Sequence, residues 1–367
     1  MNRKIRMNQN GDRHVSQPQR KRCRYELRRH LHRPLHRITT LGAIALCTCL
    51  ITLGQACQNP NLLASPDSPN AAELEAQCDS RSDFAWVPPG TFTAGSDAAE
   101  RDAAYRMSAE GWAEVSAAAS SSNESPVTVA TAEQNLRQRR WFDREPEQEA
   151  RSLSGFCIRR NLITNADYLA FVNATGHRSP DISAAEYQEQ GFLVHPYEDV
   201  EPYRWQSQPQ PAFPEGKAQH PVVLVSYDDA IAYAQWRGEQ DSVSYRLPTA
   251  LEWEKAARGT DRRYFPWGDE WQNNATNWIG RKHFGDGLEG TSAIATYPLS
   301  RSVYGVEDMS GNVFEYTSTL LERGDRPVSV MKGCSWDDLP GFCRAAYRHT
   351  RPTDSRHILF GFRLALE

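Results

Sequence analysis

The sequence predicts a loop-rich α+β protein, and its 367 residues are enough for one large domain or two ordinary ones. Three observations predict it. Ten Trp, 14 Tyr and 13 Phe accompany 23 Gly and 22 Pro, a composition suited to short elements held by aromatic clusters and tight turns. Helix signals are few and brief, which argues against a helical bundle. Between Gly259 and Gly311 the chain carries Gly, Asn, Asp and Trp with little periodicity. A loop region that long in a compact domain is functional or pinned by something. A hydrophobic content of 39% over this length is enough to build a sizeable core.

The elements follow in chain order. Residues 58–80 (QNPNLLASPDSPNAAELEAQCDS) are polar with Pro and Ser and read as a tether. A first strand is expected at 84–87. Residues 97–150 are rich in Ala, Ser, Glu and Arg, with AAASSSNES in their middle. They read as an insertion or long surface loop whose charged tail is a solvated face. Residues 164–175 (TNADYLAFVNAT) predict a helix with Thr164 as its cap, Tyr168, Phe171 and Val172 on one face, and Gly176 as its stop. A short strand is expected at 222–225. Residues 226–237 (SYDDAIAYAQWR) predict a second helix, opened by Ser226 and two Asp and stopped at Gly238. Residues 249–258 (TALEWEKAAR) predict a third, in which Thr249 follows Pro248 and acidic residues in the first turn suit the helix dipole. Further strands are expected at 328–332 and 360–364. No internal repeat is visible.

Charge is unevenly spread. Residues 1–40 hold 12 Lys/Arg and 2 Asp/Glu, a net of +10, so the rest of a chain of net charge -4 carries -14. A basic head on an acidic body suits a nucleic-acid arm less well than an export signal, because the apolar run LGAIALCTCLITL follows at 41–53. That run has the length of a signal-peptide core and is short for a membrane-spanning helix. Arg28, Arg29, Arg33 and Arg37 supply a positive flank. Gly54, Gln55, Ala56 and Cys57 follow it like a lipoprotein processing site. Lipidation at Cys57, an uncleaved anchor and a cleaved signal are alternatives. All three place the body of the chain outside the cytoplasm, in the periplasm or on the outer face of a membrane, with the N-terminal anchor or a lipid holding the membrane. Residues 1–57 are thus read as basic head and anchor, 58–80 as linker and 81–367 as the domain. Eight cysteines are present, at 23, 47, 49, 57, 78, 157, 334 and 343. The four beyond Cys57 suit one or two disulfides in an oxidising compartment, with connectivity open.

A series of motifs resembles the formylglycine-generating enzyme, or sulfatase-modifying factor, family. FAWVPPGTFTAGS (84–96), ITNADYLAFVNATGH (163–177), HPVVLVSYDDAIAYAQW (220–236), YRLPTALEWEKAARG (245–259), YFPWGDEW (264–271), YGVEDMSGNVFEYT (304–317), KGCSWDD (332–338) and GFRL (361–364) come in the family's order. The resemblance implies a single large α+β domain related to C-type lectins. In the family's true enzymes two cysteines near the C-terminal end bind copper(I), a soft metal that suits thiolates, and oxidise a substrate cysteine with O2. Here Asp338 stands where the first would be and the second position holds no Cys. The copper site is therefore not carried over.

What remains defines the candidate site. Ser335, Trp336, Asp337 and Asp338 match the family's active-site turn, and Cys334 and Cys343 flank it as a disulfide, a soft-metal pair or two separate thiols. Arg344, Arg348 and Arg351 suit an anionic substrate group or salt bridges to the acidic body. The resemblance also implies structural calcium. One set is Asn277, the Trp278 carbonyl, Asp286 and the Leu288 carbonyl; a second lies at Asp308, Gly311 and Glu315. An ordinary Asx-rich turn is the alternative at both. Gly-rich phosphate loops, HExxH and GxSxG motifs are missing from the sequence, and the acidic body argues against nucleic acid. Two functions are then expected. One is an exported oxidoreductase-like enzyme using a metal (copper or iron) or O2 on a peptide or small molecule, other than a standard formylglycine generator. The other is a non-catalytic peptide- or glycan-binding module.

Overall fold

A computed structural model of the chain describes residues 71–120, 125–287, 289–324 and 326–367. The basic head, the apolar run and the four cysteines up to Cys57 lie outside the described residues. Within them no helix is long and apolar enough to cross a membrane. The elements run α1 (Ala71–Asp79), β1 (Phe84–Val87), β2 (Gly90–Ala94), α2 (Ala98–Ala119), α3 (Val129–Gln138), β3 (Glu149–Leu153), β4 (Phe156–Arg159), α4 (Asn165–Thr175), α5 (Ala184–Gln190), α6 (Tyr227–Asp241), β5 (Tyr245–Arg246) and α7 (Ala250–Arg258). They continue with α8 (Arg281–Phe284), β6 (Phe314–Arg323), β7 (Arg326–Lys332), β8 (His349–Pro352), β9 (Phe360–Gly361) and β10 (Ala365–Leu366). This is the mixed, loop-rich α+β architecture that the sequence predicts.

Two small sheets carry the frame. The first has the order β1-β4-β10-β5, which brings the C-terminal strand between β4 from the first half of the chain and β5 from the second. The second has the order β8-β7-β6-β9 and presents the chain end that leads into the candidate site. Strands β2 and β3 form a separate ribbon. Helix α7 packs against the second sheet, with Trp253 fully buried beside Ala256, Ala257 and Met309. Aromatic packing fills the main core. Tyr168 on α4 stacks on Tyr233 of α6 at 5.7 Å, and both meet Phe362 edge-on. Such pairs add to area burial because the ring edge meets the neighbouring face.

Local capping explains the three helices that the sequence foretells. Thr164, Ser226 and Thr249 each accept a hydrogen bond from the backbone N–H three residues on, and an acidic side chain at that position reaches back to the cap. Four expectations are corrected. Residues 71–79 of the supposed tether form α1, which Cys78 ties to β4 through a disulfide to Cys157. The supposed loop at 97–150 is mostly the 22-residue α2 and the shorter α3, followed by β3, because an Ala-rich sequence reads as low complexity while burying Ala104, Tyr105, Ala109 and Trp112 along one side. Helix α6 runs past Gly238 to Asp241 and is ended by Ser242 at φ 54°. Gly238 is there for close approach, since a Cβ would lie 2.5 Å from the Val243 carbonyl oxygen. Residues 222–225 form no strand: the Val222 and Leu224 N–H groups donate to Ile163 and His357 on different segments, and Leu224 sits at φ 60°.

Candidate functional site

After β7 the chain turns at Gly333, whose φ of 72° suits a residue without a Cβ. The next residues make the turn singled out in the sequence. Cys334 and Cys343 are joined by a disulfide with both side chains fully buried, which settles the alternatives left open for them. The Trp336 N–H donates to the Asn312 carbonyl at 3.0 Å, tying the turn to the SGN segment. The Ser335 N–H donates to Asp338 Oδ2 at 2.8 Å and its hydroxyl donates to the same oxygen. Burial pushes the Asp338 carboxyl up to about 7, against the pull of those two Ser335 hydrogen bonds. Ser335, Trp336, Asp337 and Asp338 are thus brought together in one place.

The structure adds residues that the sequence reading missed. His195 lies on the loop after α5, with Nε2 3.1 Å from Asp337 Oδ2 and Nδ1 3.6 Å from Asp199 Oδ2. Its ring lies 5.2 Å from Trp336, and the Tyr203 ring lies parallel to the indole at 6.3 Å. Burial works to lower the His195 pKa, but the hydrogen bond and charge of Asp337, helped by Asp199, raise it overall. His357, 5.9 Å away, is held well below the ordinary value by burial and by the nearby His195, Arg351 and His349. Tyr187 on α5 joins them: its hydroxyl donates to the His195 carbonyl at 2.9 Å and lies 3.1 Å from His357 Nε2. One imidazole is therefore biased toward the charged form and its neighbour toward the neutral form, the arrangement that separates acid and base roles. The one sequence signal for this cluster is a His and an Asp four residues apart in HPYED.

The arginines do not converge on a site. Arg344 is fully buried, with Nη1 2.8 Å from Glu100 and Nη2 paired with Glu145. Of the two alternatives for Arg344, an anionic substrate and salt bridges to the acidic body, these contacts are the second, so the substrate role is corrected. Arg348 donates to the Arg144 carbonyl at 3.3 Å. Arg351 covers the Phe192 ring at 3.4 Å, and burial lowers its pKa to about 10.

The metal sets fare differently from expectation. Disulfide formation removes both thiolates from any copper role, so a dithiolate copper site does not fit these residues. Among the described residues no group of three or more His, Cys, Asp or Glu side chains lies so as to hold a metal ion. At the first calcium set Asp286 receives Arg281, with Nε at 2.8 Å and Nη2 at 2.5 Å. The Trp278 carbonyl accepts the Arg281 N–H at 2.9 Å, and Leu288 lies outside the described residues. Asn277 donates to the Gly290 carbonyl at 2.9 Å, while its Oδ1 is buried without a hydrogen-bond partner. At the second set both Glu315 oxygens are taken by Arg363, at 2.6 and 2.7 Å. Asp308 accepts the Ala295 N–H at 2.8 Å, and burial pushes its carboxyl up to about 6. Gly311 supplies a turn at φ 81°. Neither set fits calcium as the resemblance implied, because a guanidinium already neutralises Asp286 in one and Glu315 in the other.

Comparison with known proteins bears on the same residues. A family model described as "Sulfatase-modifying factor enzyme 1-like domain" matches residues 70–367. The chain is 38% identical over 171 residues to inactive C-alpha-formylglycine-generating enzyme 2 of Bos taurus, covering 42% of this chain and 54% of that one. It is 30% identical over 252 residues to hercynine oxygenase of Mycolicibacterium smegmatis, covering 61% of this chain and 56% of that one. The matches thus span about half the length of both relatives. Among solved structures, PvdO from Pseudomonas aeruginosa superposes with a TM-score of 0.51 at 20% identity, covering 77% of this chain and 94% of that one, a likeness of fold.

Proposed function

The chain belongs to the sulfatase-modifying factor enzyme family, and from that premise we propose that it is an exported, O2-dependent oxidoreductase-like enzyme acting on a peptide or small molecule, and not a formylglycine generator of the dithiolate kind. One observation carries the reading. The turn that resembles the family's active site is kept, its cysteines are closed into a disulfide, and a histidine held between two carboxylates faces it. The chemistry proposed takes two electrons and two protons from the substrate and gives them to O2, which leaves as H2O2. The reduced oxygen needs a proton donor. His195, biased toward its charged form, supplies one, Asp337 and Asp199 hold its orientation, and the Trp336 and Tyr203 rings form an apolar wall. A relative named as an oxygenase supports the class. The basic head, the apolar run and two disulfides support export to an oxidising compartment, with the N-terminal segment or a lipid on it holding the membrane.

The test is O2 uptake by the purified chain with thiol peptides and small molecules, with and without added copper or iron. Loss of a positioned acid–base group costs about 10²–10⁴-fold, so uptake in His195→Ala is expected to fall into that range. Formylglycine made in a sulfatase peptide would overturn the proposal. A second reading, a non-catalytic module that binds a peptide or glycan, is favoured by the closed cysteine pair and by a relative named as inactive. Ligand binding without O2 uptake, unchanged in His195→Ala, would select it.

A further inference from the structure

The stretch from Asn277 to Gly290 holds the short helix α8, whose turns are closed by N–H groups donating to the Trp278, Gly280 and Arg281 carbonyls, and is otherwise irregular. The Asp286 carboxylate, the Gly290 carbonyl and the buried Asn277 Oδ1 all belong to it, and hard oxygens of this kind suit a divalent cation. What meets them is a side chain. Arg281, on the one-turn α8, is 6% exposed. Its Nε and Nη2 meet the two oxygens of Asp286 at 2.8 and 2.5 Å, and its Nη1 donates to the Gly290 carbonyl at 3.3 Å. That carbonyl also accepts from Asn277 Nδ2. The buried guanidinium therefore bridges Gly290 and the half-exposed carboxylate of Asp286 and neutralises the latter, which a planar fork does well.

We propose that Arg281 is the built-in cation of this loop, which folds without calcium and becomes a calcium-binding loop when the guanidinium is removed. The same substitution of arginine for metal recurs at Glu315, where Arg363 engages both oxygens and also donates to the Glu307 carbonyl at 3.0 Å. Once the guanidinium is gone, the Asp286 carboxylate and the Gly290 carbonyl lose its hydrogen bonds, and the buried Asn277 Oδ1 stands in the same loop as a further oxygen donor. A small hard ion takes such a set, whereas the wild-type positive charge repels it.

Thermal unfolding and calorimetric titration of the full chain test this. The wild-type Tm is expected to be the same in excess EGTA and in millimolar CaCl2. Arg281→Gln is expected to melt several degrees lower in EGTA, to recover most of that loss in CaCl2 but not in MgCl2, and to take up one more Ca2+ than wild type. Arg281→Lys keeps the charge and is expected to stay insensitive to EGTA, which covers the case in which the Gln variant fails to fold. A wild-type Tm that drops in EGTA, with the drop abolished by Asp286→Asn, overturns the proposal. So does an Arg281→Gln loss that Ca2+ leaves unrepaired.

Discussion

Asp338 is a carboxyl that burial holds against ionisation, with its pKa pushed up to about 7 from the ordinary 3.8. A folded-state value above the unfolded one means that the native state prefers the protonated form. Its contribution is greatest below about 3.8 and is lost as pH rises toward 7. The raised pKa of His195 acts in the same sense, since the stability from its charged form fades as pH rises through its folded value. Asp338→Asn removes only the carboxyl's share. Its Tm is expected to fall less between pH 4 and pH 8 than that of wild type, by the equivalent of about 1–2 kcal/mol once the partly exposed side chain is discounted. Parallel Tm–pH curves for the two proteins would refute this. Ser335 to Asp338 are readable in the sequence because they form one local turn. His195 and Asp199 are not, because they come from far upstream and reach Asp337 only through folding.

Helix α2 shows how an element can escape a sequence reading and still organise the site. Asp97 caps it by accepting the Glu100 N–H at 2.8 Å, and the buried face beyond is built of small residues with Tyr105 and Trp112. It covers the segment that carries Cys343. The Ser108 hydroxyl accepts the Gly341 N–H at 2.8 Å, and a Cβ on Gly341 would come within 2.4 Å of the Ala104 carbonyl oxygen. One turn into the helix, Glu100 binds Arg344 at 2.8 Å and Arg258 at 3.0 Å, in a buried network that continues through Glu254 to Lys332. Breaking such a network on one side leaves charges without partners. Glu100→Gln is therefore expected to lose about 3–5 kcal/mol of unfolding free energy in urea. A loss under about 1 kcal/mol would show that the arginines find other partners. The helices α4, α6 and α7 were legible because their capping boxes are local, whereas the reason for α2 lies in residues far along the chain.

Across the whole molecule two cross-links close loops of different size. Cys78–Cys157 spans 79 residues and pins α1 to the first sheet, while Cys334–Cys343 spans 9 and closes the site turn. In the chain-entropy account the long loop stabilises by about 4.5 kcal/mol and the short one by about 2.5 kcal/mol. Cys78→Ser paired with Cys157→Ser is thus expected to cost more in denaturant unfolding than Cys334→Ser paired with Cys343→Ser, and the reverse order would refute the entropic account here. The sequence by itself determined the family, the α+β class, the main capped helices and the active-site-like turn, because each is written in contiguous motifs and local capping chemistry. Only the tertiary structure decided which cysteines pair, which cations meet Asp286 and Glu315, and which histidine faces Asp337. Cys78 and Cys157, Glu315 and Arg363, and His195 and Asp337 are distant in the chain and meet only in packed space, where an unpaired buried charge is costly; even the near neighbours Arg281 and Asp286 meet only through the turn that follows α8.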